Sequence, residues 1–390
     1  MRVGLLFWGT VDMPDAGSDG PDPYSRRFRA DGYAAPYDHL LEWAKIADQA
    51  GFDSFWATEH HFQREGYQII PNVLMLGAVL AQHTQKLRFG AMVHPLPTWH
   101  PLRFAEDFAI ADIMSGGRMI FGTGRGSVDR EARVFGSMVS RAEDAANAQN
   151  RSQFEEQMEI IKLAWSQPSF SYRGSFYEIP PPGVTNTGTP DGQPFDQVTL
   201  VPRPTHPVEI WQALNSESTA HYAAQHGHKV IVSYVGTFKD VLSKWELYGR
   251  LAAQYQERSV RPGEDRMLVL RAHIGDSRAA AMEAVRPSHD ERFRFLGAQR
   301  PIFGYRDQYG GPFPLGRLPT LEESIAGGGW LVGTADEVRE GIQQHVEQFS
   351  LEYLIVELEF PGMGRQAVAN QIDRFATHVL PYLTRTSVAA

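Results

Sequence analysis

The chain of 390 residues carries a formal net charge of −9 and contains no cysteine. Because nucleic acids are bound by basic surfaces, this mild acidity argues against a nucleic-acid partner. The lack of cysteine excludes disulfides, thiolate metal ligands and cysteine nucleophiles. Hydrophobic residues make up 42% of the chain and charged residues 21%, which is typical of a globular protein with a large apolar core.

The hydropathy of the chain predicts a cytoplasmic protein without a membrane partner. The first apolar run is too short for a signal peptide and lacks a small-residue cleavage site. No other run approaches the roughly 20 apolar residues that a membrane-spanning helix needs. We therefore interpret the first run as a buried strand.

Segments typical of strands and helices alternate along the chain. Short apolar runs predict strands buried on both faces, and between them apolar residues recur at helical spacing. The predicted strands are 3–8, 53–57, 87–93, 119–121, 208–213, 230–233, 267–274 and 353–358. Helices are predicted from residue 36, over 71–82, 101–114, 154–165, 218–227 and 238–257, after the seventh strand, and over 335–349 and 365–382.

Strands that alternate with helices in this way predict an α/β fold, a (β/α)8 TIM barrel. An open doubly wound sheet would also alternate, but no glycine fingerprint follows the first strand and the chain does not split into halves. We expect a single domain over residues 1–390. Long stretches without periodicity, about 12–36, 173–207 and 297–329, are predicted to be insertions at the barrel mouth that form a lid.

A carboxylate and two imidazoles follow the second predicted strand, as Glu59, His60 and His61. Ligands of parallel α/β folds bind at this end of the strands. Adjacent residues of an extended strand point to opposite faces, so only one of the two histidines can face the mouth. The alternatives are a histidine hydrogen-bonded to its own loop and a metal-dependent hydrolase site, although the spacing suggests no further metal ligand.

Two further strand ends carry residues suited to a phosphate-bearing ligand. Residues 122–126 read Gly-Thr-Gly-Arg-Gly, where glycines allow close backbone approach and Arg125 offers a charged fork. Asn215, Ser216 and Thr219 precede and open a predicted helix, where such residues cap the helix and where free N–H groups suit a phosphate. Each cluster taken alone also fits a purely structural role: a tight barrel corner with a surface arginine for residues 122–126, and a simple helix cap for the residues from Asn215 to Thr219.

Six segments form a combined pattern along the chain. They are Gly51-Phe-Asp-Ser-Phe-Trp-Ala-Thr-Glu-His-His-Phe62, His100-Pro-Leu-Arg-Phe-Ala-Glu-Asp107, Asp112-Ile-Met-Ser-Gly-Gly-Arg-Met-Ile-Phe-Gly-Thr-Gly-Arg-Gly126, Glu131-Ala-Arg-Val-Phe-Gly136, Trp211 to Gly227 and Leu331-Val-Gly-Thr-Ala-Asp-Glu-Val338. In this order they resemble the bacterial luciferase-like flavin-dependent monooxygenase family, including its luciferase catalytic subunit. The resemblance covers most of the chain and is densest over 37–136.

The resemblance implies an FMNH2-dependent monooxygenase of the two-component type. A separate flavin reductase would supply reduced FMN, O2 would add to it, and the flavin hydroperoxide would oxygenate a small organic substrate. His60 falls at the catalytic histidine of the family, and we expect Glu59 beside it to take part. The family also implies a homodimer or higher homo-oligomer.

The resemblance further implies which residues bind the flavin phosphate. They are Arg125, Arg151, Asn215, Ser216 and Thr219. Arg141 competes with Arg151 for its role, because extra residues precede the predicted helix.

The flavin ring is implied to lie against Met92, Val93 and Gly124. Met92-Val93 falls where the family has a non-proline cis peptide behind the isoalloxazine. The sequence departs from the luciferase subunit here, which has two small residues in place of Met92-Val93 and a reactive cysteine in place of Gly124. It also departs at Asn215, where that subunit has a carboxylate. These departures leave flavin binding intact and weaken the case for aldehyde oxidation.

The predicted lid suggests a hydrophobic or aromatic substrate. Its aromatic residues are Phe303, Tyr305, Tyr309, Phe313 and the adjoining Trp330. Two alternatives use the same barrel: hydride transfer from a reduced deazaflavin, and flavin binding without catalysis.

Overall fold

The computed structural model describes residues 1–137, 144–186, 192–235, 237–299 and 317–384. The strands are β1 (Arg2–Phe7), β2 (Ser54–Ala57), β3 (Arg88–Ala91), β4 (His94–Pro95), β5 (Met119–Gly124), β6 (Tyr172–Arg173), β7 (Glu178–Ile179), β8 (Ile210–Ala213), β9 (Lys229–Ser233), β10 (Arg266–Ile274), β11 (Trp330–Gly333) and β12 (Tyr353–Glu357). The α-helices are α1 (Ala30–Ala50), α2 (Val73–Ala81), α3 (Pro101–Ser115), α4 (Asp129–Val134), α5 (Asp144–Ser166), α6 (Glu217–Gln225), α7 (Phe238–Tyr255), α8 (Arg278–Gln299), α9 (Leu321–Ala326), α10 (Ala335–Phe349), α11 (Arg365–His378) and α12 (Leu380–Thr384).

Eight parallel strands close into a barrel in the order β1, β2, β3, β5, β8, β9, β10 and β12, and β12 pairs back with β1. Helices connect the successive strands, so the predicted (β/α)8 TIM barrel is confirmed. Each of the eight predicted strands corresponds to one of these barrel strands. None of the helices in the described ranges is both long and apolar enough to span a membrane.

Large side chains fill the barrel interior. They are Leu6, Trp56, Ile120, Trp211, Ile231, Met267, Val269, Tyr353 and Ile355. Because strand side chains alternate between the two faces, the next inward positions lie two residues further along each strand. At the mouth, where the strands end, these positions include Trp8, Thr58, Arg271 and Glu357, and Gly124 lies four residues beyond Ile120.

Helices α2, α6, α7, α9 and α10 each begin at a residue whose side chain caps the helix. At α10, the side chain of Thr334 accepts from the backbone of Glu337, and the Glu337 carboxylate accepts from the backbone of Thr334. Its buried residues Val338, Ile342 and Phe349 recur at helical spacing and pack towards the barrel. Both local signals agree, and the helix spans the predicted residues 335–349.

Helix α1 begins at Ala30, so the prediction that Pro36 opens it is wrong. Pro36 lies inside the helix. The earlier start depends on contacts from outside the helix: the Tyr33 hydroxyl bonds the Arg64 carbonyl, and the Tyr33 ring meets the Phe28 ring edge-on at 5.9 Å. The contact with Arg64 comes from tertiary structure, which overrides the local signal of a proline.

The insertion over 173–207 does not lie wholly at the mouth, contrary to the prediction. The backbone N–H groups of Thr205 and His206 donate to Asp112 of α3, at 2.8 and 3.3 Å. A Cβ at Gly117, just before β5, would come 2.5 Å from the His206 ring. The segment follows helix α5 and leads into β8, so its end returns to the side where strands begin.

The stretch over 297–329 contains helix α9 and leads into strand β11, neither of which the sequence predicted. Strand β11 pairs with the last residues of β10, Arg271–Ile274, of which only Arg271 also pairs with β12 in the barrel. Helices α8 and α9 pack with β11 around Trp330. Residues 300–316, with four of the aromatic residues assigned to the lid, lie outside the described residues.

Candidate functional site

His60 follows β2 and is held by a carboxylate from another part of the chain. Its Nδ1 lies 3.0 and 3.2 Å from the two carboxylate oxygens of Glu131, at the start of α4. Its backbone N–H donates to the Ile70 carbonyl at 3.0 Å. The side chain is 12% exposed. An Nδ1–H that donates to Glu131 makes Nε2 the acceptor nitrogen of the ring.

Glu131 is a functional candidate that the sequence analysis did not single out. Burial raises the pKa of its carboxyl. Hydrogen bonding and charge interaction with His60, together with a hydrogen bond from Gln63, outweigh burial and lower the pKa overall. The Gln63 side-chain amide donates to Glu131 at 2.7 Å. Glu131 therefore carries a negative charge near neutrality beside His60. The only sequence signal was its place at the head of the Glu131–Gly136 segment, since 71 residues separate it from His60.

The prediction that Glu59 shares catalysis with His60 does not match the geometry. The Glu59 carboxylate is buried and accepts from His94 Nδ1 at 2.6 Å and from Trp99 Nε1 at 2.7 Å. Burial raises the pKa of Glu59, but the His94 charge and hydrogen bonds from His61, His94 and Trp99 lower it to about 2. Glu59 is thus an ionised structural group that ties the end of β2 to the segment before α3.

His60 and His61 diverge, as the alternation of an extended segment predicts. His61 Nε2 lies 3.7 Å from Glu59, and its ring meets the Phe135 ring edge-on at 4.8 Å. His60 is directed to Glu131 instead. Within the ranges that the structure describes, no three His, Asp or Glu side chains are arranged to hold a metal ion.

The floor of the mouth is formed by Met92, Val93 and Gly124. The Met92–Val93 peptide bond is cis. Both side chains pack on the barrel-interior cluster, and both remain partly accessible. A Cβ at Gly124 would come 2.6 Å from Val93 Cγ2 and 3.8 Å from the Ala213 Cβ. The ends of β3, β5 and β8 therefore approach closely here only because residue 124 is glycine.

Thr58 adds a polar group to this floor. It continues the inward alternation of β2 and is 6% exposed. Its Oγ1 is buried and has no hydrogen-bond partner among the described residues. Because an unpartnered buried hydroxyl is costly, this atom marks a position where a ligand could hydrogen-bond.

Arg125 and Arg151 lie close to one carboxylate. Arg125 Nη1 donates to Asn147 Oδ1 at 2.7 Å. Burial raises the pKa of the Glu155 carboxyl, and the charges of Arg151 and Arg125 only partly offset this effect. Arg151 lies within α5, while Arg141 lies outside the described residues.

The N-terminus of α6 lies on the neighbouring strand end. Ser216 is the N-cap, and its hydroxyl accepts from the Thr219 N–H at 3.3 Å. Asn215 is exposed. The Phe154 ring of α5 meets the Tyr222 ring of α6 edge-on at 5.9 Å, which brings the two helices together. The capping prediction for Ser216 is confirmed, and its role towards a phosphate stays a prediction.

An open cavity of about 550 Å³ lies beside His60 on the outer side of the mouth. It is bordered mainly by aromatic and apolar side chains. The residues that line it include Tyr33, Tyr37, His60, Phe62, Ile69 and Pro71. Such a cavity suits the apolar part of a small organic molecule.

Comparison with known proteins places the chain in a family. The oxygenase component of the flavin-dependent trigonelline monooxygenase of Acinetobacter baylyi is 29% identical over 248 residues, which is 64% of this chain and 62% of that protein. The alkanal monooxygenase alpha chain of Photorhabdus luminescens is 28% identical over 216 residues, which is 55% of this chain and 53% of that protein. The matches therefore span between half and two thirds of these relatives.

A solved structure has the same fold over nearly the whole chain. It is the oxygenating constituent of 3,6-diketocamphane monooxygenase from Pseudomonas putida, in complex with FMN, with a TM-score of 0.73, 21% identity and 98% coverage of each chain. The sequence model of the luciferase-like monooxygenases matches residues 18–352. The chain therefore belongs to the luciferase-like monooxygenase family.

Proposed function

We propose that the chain is the oxygenase component of a two-component monooxygenase. It would take reduced FMN from a separate flavin reductase and O2 as co-substrate, and oxygenate a small organic substrate through a flavin hydroperoxide. The family and the oxygenase-component relatives support this reading. A cytoplasmic location, where a reductase would supply reduced flavin, is part of the same proposal.

The residues at the mouth fit a planar cofactor that carries a phosphate. Gly124 keeps the floor beside the cis Met92–Val93 peptide open to a flat ring, because a side chain there would collide with Val93. The buried Thr58 hydroxyl has a free hydrogen-bonding position in the described part of the chain. Two guanidinium groups and the capped N-terminus of α6 supply the donors that a phosphate needs.

The observation that carries the proposal is the His60–Glu131 pair. A histidine beside an ionised carboxylate can hold or move a proton near neutral pH. Glu131 would keep Nδ1 protonated and the ring fixed, so Nε2 would be the atom that exchanges a proton at the mouth. Reduced flavin, when bound, would supply the oxygen chemistry, and the protein would position it and exclude water.

Stopped-flow mixing of the anaerobic protein and reduced FMN with oxygenated buffer tests the proposal. We expect the blue-shifted absorbance of a flavin hydroperoxide, and a decay about 100-fold faster in His60→Ala, the usual scale of a lost proton-transfer group. His83→Ala is the matched control, because His83 is an exposed histidine after α2.

Two other outcomes would contradict the oxygenase function, and a third would contradict only the role of His60. Oxidation at the rate of free flavin, together with turnover of a reduced deazaflavin, would indicate hydride transfer on the same barrel. Tight flavin binding without either reaction would indicate a flavin-binding protein. A hydroperoxide with equal lifetimes in wild type and His60→Ala would show that His60 does not stabilise it. That result would not contradict the oxygenase function.

A further inference from the structure

A buried cluster of two arginines and one glutamate lies at the mouth, across the barrel from Arg125. The Glu357 carboxylate, at the inward-facing end of β12, lies 3.4 Å from Arg271 Nε of β10. Its other oxygen accepts from Arg292 Nη1, which reaches it from α8. The guanidinium carbon of Arg292 lies 4.0 Å from the centre of the Trp8 ring. Strand order places β12 opposite β5, so this cluster is separate from the predicted phosphate site.

Arg292 is held firmly but uses only part of its hydrogen-bonding capacity. The residue is 4% exposed. Its Nη1 bonds Glu357, whereas its Nε is buried without a hydrogen-bond partner in the part of the chain that the structure describes. Its Nη2 likewise forms no hydrogen bond with the described residues. Leaving the buried Nε–H of a charged group unpaired is costly, so this edge of the guanidinium is suited to an external acceptor.

The neighbouring carboxylates, Glu357 and Glu359, do not accept hydrogen bonds from the Nε–H and Nη2–H groups of Arg292. Glu359 is the other carboxylate at this end of β12, and it accepts from the backbone N–H groups of residues 8, 9 and 10 at 2.7, 3.1 and 2.8 Å. Those bonds fix the loop after β1 and place Trp8 beneath Arg292. Glu357 is shared between Arg271 and Arg292. A single carboxylate thus serves two guanidinium groups.

We propose that Arg292 is a binding site for the carboxylate of an organic acid, received by its Nε–H and Nη2–H groups. These two N–H groups lie on one edge of a planar fork and match the two oxygens of a carboxylate. Glu357 orients the fork through Nη1, and Trp8 supports its face. That this acid is the substrate rests on the proposed oxygenase function; the carboxylate site itself does not.

Binding of benzoate and of its neutral isostere benzamide to the flavin-free protein tests this inference. We expect calorimetric titration to show benzoate binding at least about 10-fold tighter than benzamide, since only the anion forms two charge-assisted bonds. Arg292→Lys retains the charge beside Glu357 but loses the planar fork, and we expect it to bind benzoate about 10- to 100-fold more weakly. Circular dichroism checks that this variant is folded.

The matched control is Arg286→Lys, on the same helix, where the arginine pairs with Glu322 at the surface. It should bind benzoate as the wild type does. Equal affinities for the two probes, no binding of either, or wild-type affinity in Arg292→Lys would each overturn the inference. A flavin hydroperoxide without benzoate binding would overturn the carboxylate site alone, whereas benzoate binding without a hydroperoxide would overturn only the oxygenase function.

Discussion

At the scale of single residues, the site depends on side chains that are each fixed by one buried partner. Glu131 fixes His60, Glu357 fixes Arg292, and Glu59 fixes His94. Removing one partner of such a buried pair would leave an uncompensated charge, so each pairing is strongly favoured. All three glutamates therefore act by holding another side chain in place.

Glu59 gives a prediction at this scale. Its folded-state pKa of about 2 is below the usual value of 4.5, so its stabilising effect is present above pH 4.5 and is lost as the pH falls towards 2. Glu59→Gln should lower the free energy of unfolding by about 3 kcal/mol at pH 7, because it removes the charge beside His94. The loss relative to wild type should shrink as the pH falls below 4.5.

Urea unfolding at pH 7 and at acidic pH measures both effects. The control is Glu178→Gln, which replaces an exposed glutamate in β7. A difference between wild type and Glu59→Gln that does not change with pH would show that Glu59 is not the ionised group described here.

At the scale of elements, the loops that follow strands carry the site and the helices support it. The cis Met92–Val93 peptide follows β3, Gly124 ends β5, and Ser216 caps the helix after β8. These neighbouring strand ends form one wall of the mouth. The opposite wall is made by β10, β12 and helix α8, which brings Arg292 over the barrel.

Ser216→Ala separates the capping role of this residue from phosphate binding. Losing the N-cap should cost about 1 kcal/mol of stability. If Ser216 also binds the phosphate, the affinity for FMN should fall while the affinity for riboflavin, which lacks the phosphate, stays the same. Fluorescence titration with both flavins measures this.

Thr334→Ala is the matched control for Ser216→Ala, because Thr334 caps α10 in the same way. It should cost similar stability and leave both flavin affinities unchanged. An equal loss of FMN and riboflavin affinity in Ser216→Ala would show that Ser216 caps the helix and does not bind the phosphate.

At the scale of the whole molecule, helices α2 and α3 expose an apolar surface. These helices pack on each other, and the exposed apolar residues on them are Met75, Val79, Ile110, Ile113 and Met114. Apolar residues grouped in this way mark interaction surfaces. We propose that this surface joins two copies of the chain, in keeping with the homodimer that the family resemblance implies.

Light scattering of the purified protein tests this proposal. We expect a dimer for the wild type and a monomer for the double variant Met75→Lys, Val79→Lys, because two charges on each copy would be buried at the interface. The control is Val201→Lys, an exposed apolar residue outside this surface. A monomeric wild type, or a variant that remains dimeric, would contradict the proposed interface.

The sequence by itself determined the barrel and the places where its strands end. Alternating apolar runs and helical spacing are local signals, and they were enough to locate all eight barrel strands and helix α10. The same signals located His60, Gly124 and the cap at Ser216, because a strand end in a parallel barrel is a ligand-binding position wherever it occurs. Met92 and Val93 were implied only by the family resemblance.

Only the tertiary structure decided which side chains meet at the mouth. His60 contacts Glu131 across 71 residues, and Arg292 contacts Glu357 across 65. Glu59 looked equivalent to His60 in sequence, yet its carboxylate is buried against His94 and Trp99. Such pairings depend on the closure of the barrel and on helix α8 packing over it, and no local pattern of residues encodes a contact between segments so far apart.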